Sequence, residues 1–127
     1  MVMTFRAAGL LALTLGATVI ASAQHAQSVT ASITEVEQEY ANILLDASPN
    51  ELRELGLTLG TRFTFTHKGQ AHTATLVEEY GDVAAGAWLG RIWEDRVELA
   101  ISSGNACTVL DCSVGDAVTI TLPANEP

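Results

Sequence analysis

Glu37, Tyr40 and Asn42 place a carboxylate, an aromatic ring and an amide within six residues. An aromatic face with an amide two residues on suits a purine base, which stacks on one side and hydrogen-bonds along its edge. If residues 36–45 run as a curved strand, Tyr40 and Asn42 share one face of it. A core tyrosine beside an asparagine that bonds its own loop is the more economical account of these residues alone. Glu, Gln, Ala and Leu in 35–45 also suit a helix, and periodicity does not decide between the two.

Other polar groups offer less. Glu78 and Glu79 are adjacent, and neighbours on a strand face opposite ways, so they share no site. His67 and His72 flank an expected hairpin tip and read as exposed turn residues, as do Glu94 and Asp95. Ser102-Ser103-Gly104 stands near a possible helix start and could offer N–H groups to an anion, although a plain N-cap accounts for it. The chain has no Gly-x-Ser-x-Gly elbow, phosphate loop or dinucleotide fingerprint. No catalytic residue is therefore assigned. His25, His67 and His72 sit at no metal-ligand spacing from the cysteines, so neither metal nor cofactor is expected.

Positioning such groups falls to a short chain of 127 residues, enough for one domain. Residues 1–23 read as a signal peptide. Arg6 supplies the basic start, 7–21 the apolar run, and Ala21-Ser22-Ala23 the small-x-small cleavage site before Gln24. The expected destination is the periplasm or the medium, with no membrane attachment after cleavage. An oxidising compartment favours a disulfide between Cys107 and Cys112, the only two cysteines. Loss of the leader takes Arg6 with it, leaving 5 basic against 15 acidic residues and a formal charge of −10. That much negative charge repels nucleic acid and anionic membranes.

Residues 24–31 read as an N-terminal extension running into the first strand. Apolar Val29, Ala31 and Ile33 alternate with Thr30, Ser32 and Thr34, the mark of a strand with one buried face. Ser48-Pro49-Asn50-Glu51 is a capping box with proline at the first helical position, and Gly56 ends the short helix. Alternation returns in 62–66, 73–77, 87–93, 97–101 and 118–122. Lys68-Gly69-Gln70 and Glu94-Asp95 supply tight turns, and 104–110 can form one helical turn. Strands this short, at roughly ten-residue spacing, predict a mainly β fold, a barrel or a sandwich, with one or two short helices, preceded by the signal-peptide helix and followed by a tail at 123–127.

Five blocks carry a family resemblance. Four are Tyr80-Gly81-Asp82-Val83 with Gly86, Val97-Glu98-Leu99-Ala100-Ile101, Gly104-Asn105-Ala106, and Val114-Gly115-Asp116-Ala117-Val118. The fifth is Val36-Glu37…Tyr40-Ala41-Asn42, where the family usually reads Val-Asp-x-x-Phe-Gly-Asn. In order and spacing they resemble the C-terminal domain of the S-adenosyl-L-methionine hydroxide adenosyltransferases, the group that includes the adenosyl halide synthases. The resemblance spans about residues 32–122. It implies a small β-barrel whose wall holds the adenine and methionine ends of a ligand. Tyr40 then matches the ring that stacks on adenine, Asn42 the amide at its edge, and Glu37 the aspartate near the methionine amino group.

Two departures shape the expectation. Ile92-Trp93-Glu94-Asp95 stands where the family usually has Asn-Ser-x-Gly, and Trp93 would fill space a ligand might use. The family's larger N-terminal domain, which activates water or halide and faces a neighbouring subunit's C-terminal domain, has no counterpart here. The cysteine pair lies outside the family pattern and fits an exported domain. The expected function is an exported, non-catalytic domain that binds an adenosine-type molecule through a partial pocket at Glu37, Tyr40 and Asn42. The rivals are an interaction domain that lost the pocket, and the accessory half of an S-adenosylmethionine hydrolase completed by a separate N-terminal partner. A homo-oligomer is the other expected association.

Overall fold

The structure, a computed structural model, describes residues 28–123. The expected signal peptide at 1–23 lies outside the described residues. Seven strands and two short helices follow in order: β1 (Ser28–Val36), β2 (Ile43–Leu45), α1 (Pro49–Leu55), β3 (Arg62–His67), β4 (Gln70–Leu76), β5 (Trp88–Trp93), β6 (Arg96–Ile101), α2 (Ala106–Leu110) and β7 (Ala117–Thr121). They close into a barrel in the order β1-β2-β6-β5-β4-β3-β7, completed where β7 pairs with β1. The expected mainly β barrel with two short helices is what the chain forms.

Parity along each strand builds the interior. Ala31 and Ile33, Phe63 and Phe65, Val97 and Leu99, and Val118 and Ile120 all point inward and are buried. Each fully buried phenylalanine contributes about 2–3 kcal/mol of hydrophobic stabilisation. Gly90 lets the tip of the Phe63 ring come up against β5, because a Cβ there would stand 2.7 Å from the ring's Cζ.

Both helices plug the barrel. In α1, Ser48 accepts from the Glu51 backbone N–H at 3.1 Å, and Glu51 accepts from that of Ser48 at 2.8 Å. This is the capping box that the sequence predicts, and Leu52 of the helix enters the core. At the other end α2 sends Ala106 and Cys107 into the core. Its first N–H groups reach back to the β1–β2 connection, Cys107 N–H to Ala41 O at 2.9 Å. The expected disulfide joins Cys107 to Cys112, with Cα atoms 5.1 Å apart.

One connection breaks the antiparallel pattern. β4 and β5 are parallel neighbours, so the chain must cross from one end of the barrel to the other between them. This crossover, 77–87, carries a 3-10 turn at Tyr80–Asp82. It lies against the outer face of β5 and β6, where Val77, Leu89 and Ala100 form a second small core with Tyr80 and Val83 packed on it. The outer faces of β5 and β6 are thus covered, and two charged side chains, Arg91 and Glu98, are buried there.

Candidate functional site

Residues 37–42 do not continue as a strand. β1 ends at Val36, which pairs with Ile43, so the chain reverses through a turn at 38–40. The Glu37 N–H closes the turn on Asn42 O at 2.9 Å. Ala41 sits at φ 52°, in the left-handed region where the resembled family carries glycine. The expectation of an extended 36–45 is therefore corrected. Two antiparallel strands joined by a short link satisfy the backbone that a helix or one long strand would have engaged otherwise.

The reversal separates the three candidates without dispersing them. Tyr40 projects outward and is 55% exposed, while Asn42 is 5% exposed. Both line one cleft of about 670 Å³ at the α2 end of the barrel. Glu39 beside Tyr40, Tyr80 from the crossover, Ile101 at the end of β6 and the loop Ser103–Asn105 complete its wall. Glu37 stands at the foot of the turn and is not part of the lining. Tyr80 and Asn105 entered the sequence reading only through their blocks, with no role; the crossover and the loop before α2 bring them to the cleft.

Beneath the lining runs a chain of polar contacts. Asn42 Nδ2 donates to Tyr80 Oη at 3.3 Å, and Tyr80 Oη donates to Glu98 Oε2 at 2.9 Å. The Arg91 Nε lies 3.6 Å from Glu98 Oε1, an ion pair rather than a hydrogen bond, and is a buried polar atom with no bonding partner. The guanidinium lies between the rings of Tyr80 and Trp93, 4.6 and 4.8 Å from their centroids. Burial raises the Glu98 carboxyl above its ordinary value, and nearby Glu37 adds to this; Tyr80, Arg91 and Asn42 pull the other way. The Tyr80 phenol is also raised, first by burial and then by Glu98.

Trp93 does not fill the cleft. It ends β5 at the tip of the β5–β6 hairpin, half exposed, whereas the cleft opens where β6 finishes. Trp93 lines a separate depression on the barrel wall, together with Leu59 and Arg53.

His67 corrects another expectation. It is 3% exposed, because it follows Phe63 and Phe65 at the same parity and faces inward. Its Nε2 lies 2.9 Å from Asp116 Oδ2. His72 is half-buried, with its ring stacked 5.0 Å from that of Phe65. Among the described residues no three His, Cys, Asp or Glu side chains gather to hold a metal ion.

Chemically the cleft offers an aromatic face, a second phenol, the amides of Asn42 and Asn105, the Glu39 carboxylate and a loop of backbone groups. Such groups have the chemistry to stack on and hydrogen-bond a planar molecule. No family model matches the sequence, nor does any curated protein. The fold is similar to that of an uncharacterized conserved protein from Thermotoga maritima, with a TM-score of 0.73 and 19% identity over 77% of this chain and 37% of that one. It is also similar to a conserved hypothetical protein from Thermus thermophilus, at 0.51 and 16% over 72% of this chain and 34% of that one. The chain spans about a third of the length of each, and at these identities the likeness is one of barrel architecture.

Proposed function

We propose that this chain is an exported, non-catalytic recognition domain that takes an adenosine-type molecule in the Tyr40–Asn42 cleft. The observation that carries this reading is the placement of an exposed ring and a buried amide on one cleft, although the turn between them breaks the strand. The five sequence blocks resembling the C-terminal domain of the S-adenosyl-L-methionine hydroxide adenosyltransferases support the same ligand class. Glu37 stands beside rather than in the lining, so its part in holding an amino group is the weakest element of the set. Export is supported by the leader pattern in the sequence and by the disulfide, which fits an oxidising compartment.

Tyr40 favours one second reading. A ring more than half exposed buries a stacked base on one side only, so a separate protein, or a second copy, would complete the site. Calorimetric titration of the purified protein with adenosine and with S-adenosylmethionine tests the first reading. Binding that weakens about tenfold in Tyr40→Ala is the expected result, from the loss of one stacking contact. Absence of heat at millimolar ligand removes it.

A further inference from the structure

Asn42 can face the cleft in two ways, with its oxygen or with its NH2 outward. The two ends of an amide are told apart by the hydrogen-bond chain they join. Glu98 supplies the fixed end. An ionised carboxylate only accepts, so the single proton of the Tyr80 hydroxyl is committed to Oε2, at 2.9 Å. Toward Asn42 that hydroxyl can then only accept. The amide must present Nδ2 to it, as it does at 3.3 Å. Oδ1 is left for the cleft, and it is not among the buried atoms lacking a partner.

The strands hold this arrangement in register. Glu98 lies directly opposite Arg91 on β5 and Leu44 on β2, on the outer face covered by the crossover. Arg91, wedged between two rings, keeps a positive charge beside Oε1.

We infer that Glu98, which does not line the cleft, sets the cleft's hydrogen-bond polarity through Tyr80, so that Asn42 presents an acceptor and selects rings bearing an amino group over rings bearing a carbonyl there. The inference rests on the proposed reading of the cleft as a site for a planar heterocycle. It makes Glu98 a positioning residue and names the ligand class more narrowly: 6-aminopurines are taken and 6-oxopurines are refused. A mismatched ligand would set its carbonyl against Asn42 Oδ1, leaving two acceptors face to face.

Adenosine and inosine differ at that one group, and their affinity ratio is the readout. The unaltered protein prefers adenosine by about tenfold or more, the cost of one unmatched polar contact. Tyr80→Phe keeps the ring but frees the amide to turn, and the ratio collapses toward one. Glu98→Gln inverts it. The oxygen of the introduced amide faces Arg91 and its NH2 donates to Tyr80 Oη, whose proton then goes to Asn42 Oδ1 and turns NH2 to the cleft. A Glu98→Gln variant that folds and keeps the original preference overturns the inference.

Nuclear magnetic resonance on the ligand-free protein gives a second readout. The Asn42 Nδ2 protons are expected to exchange slowly and to show contacts to the Tyr80 ring. If they face solvent while adenosine still binds, the relay is wrong and the cleft reading stands. If they show the expected contacts while neither nucleoside binds, the cleft reading falls and the selectivity falls with it.

Discussion

Two carboxylates in this barrel sit beside a basic side chain, and their environments push them in opposite directions. Glu98 is 2% exposed on the outer face of β6 and is raised, chiefly by burial. Asp116 precedes β7, with its carboxylate partly in solvent, and is lowered, chiefly by the hydrogen bond from His67 and then by the Ser113 N–H. Distance accounts for much of the contrast. The His67 nitrogen meets Asp116 at 2.9 Å, whereas Arg91 Nε stops 3.6 Å short of Glu98. Where water is excluded and the partner does not quite reach, desolvation outweighs attraction. Where water helps and the partner bonds, the charged form is favoured.

Arg91→Met should break the comparison most visibly. It strands a buried carboxylate, a change that costs about 3–5 kcal/mol in such pairs. Urea denaturation should show the loss, and Arg91→Met/Glu98→Leu should recover most of it, because no charge is then left buried. A single variant as stable as the parent would mean that Arg91 does not balance Glu98.

Replacing both cysteines with serine tests the other region. The bridge closes a short loop at α2, and the chain-entropy estimate for its loss is about 2 kcal/mol. Urea midpoints of the parent with and without reductant should differ by the same amount as parent and variant. No change on reduction would place the anchoring of α2 in the packing of Ala106 in the core and Leu110 against it instead.

The contrast between the two regions also marks what could be read in advance. Alternation in Val29–Ile33 and Val118–Leu122, the Ser48–Glu51 box and the Glu94-Asp95 turn marked the strands, the helix and the hairpin of a mainly β fold, because each is a local signal. The burial of His67 was in the pattern too, since it shares parity with Phe63 and Phe65, but its place beside a turn masked it. Arg91 and Glu98 carried no such signal. Their burial depends on a crossover between two parallel strands, a long-range event that no window of sequence contains. The reversal at 37–42 was hidden by residues that suit helix and strand alike, and only its pairing of Val36 with Ile43 reveals it. So Tyr40 and Asn42 were legible as candidates, while the residues that orient them were not.

A smaller effect should sharpen the comparison at acid pH. Asp116 is lowered from its ordinary 3.8, so its stabilising contribution is present above that value and is lost as pH falls through the depressed folded value. Asp116→Asn removes a titrating group, and the acid limb of its stability profile should flatten relative to the parent. Denaturation followed from pH 5 downward checks this, and parallel acid limbs in the two proteins would count against the His67 bond as the cause.

Glu98 should bend the profile the other way, and by the least. A carboxyl raised above its ordinary 4.5 binds its proton more tightly in the folded chain than in the unfolded one. Its contribution is therefore full below that ordinary value and is lost as pH rises through the raised folded value. Tyr80, Arg91, Asn42 and Glu37 face the carboxyl, and of these only Glu37 adds to the effect of burial. In Glu98→Gln the decline on the rising side should vanish, leaving Asp116's acid limb in place. Protonation of Glu98 also gives the carboxyl a hydrogen to donate to Tyr80, which would release the phenol's own proton toward Asn42. The preference for adenosine over inosine should then fade over the same pH interval in which stability rises. If the two move in separate intervals, the carboxyl that destabilises the fold is not the one that orients the cleft.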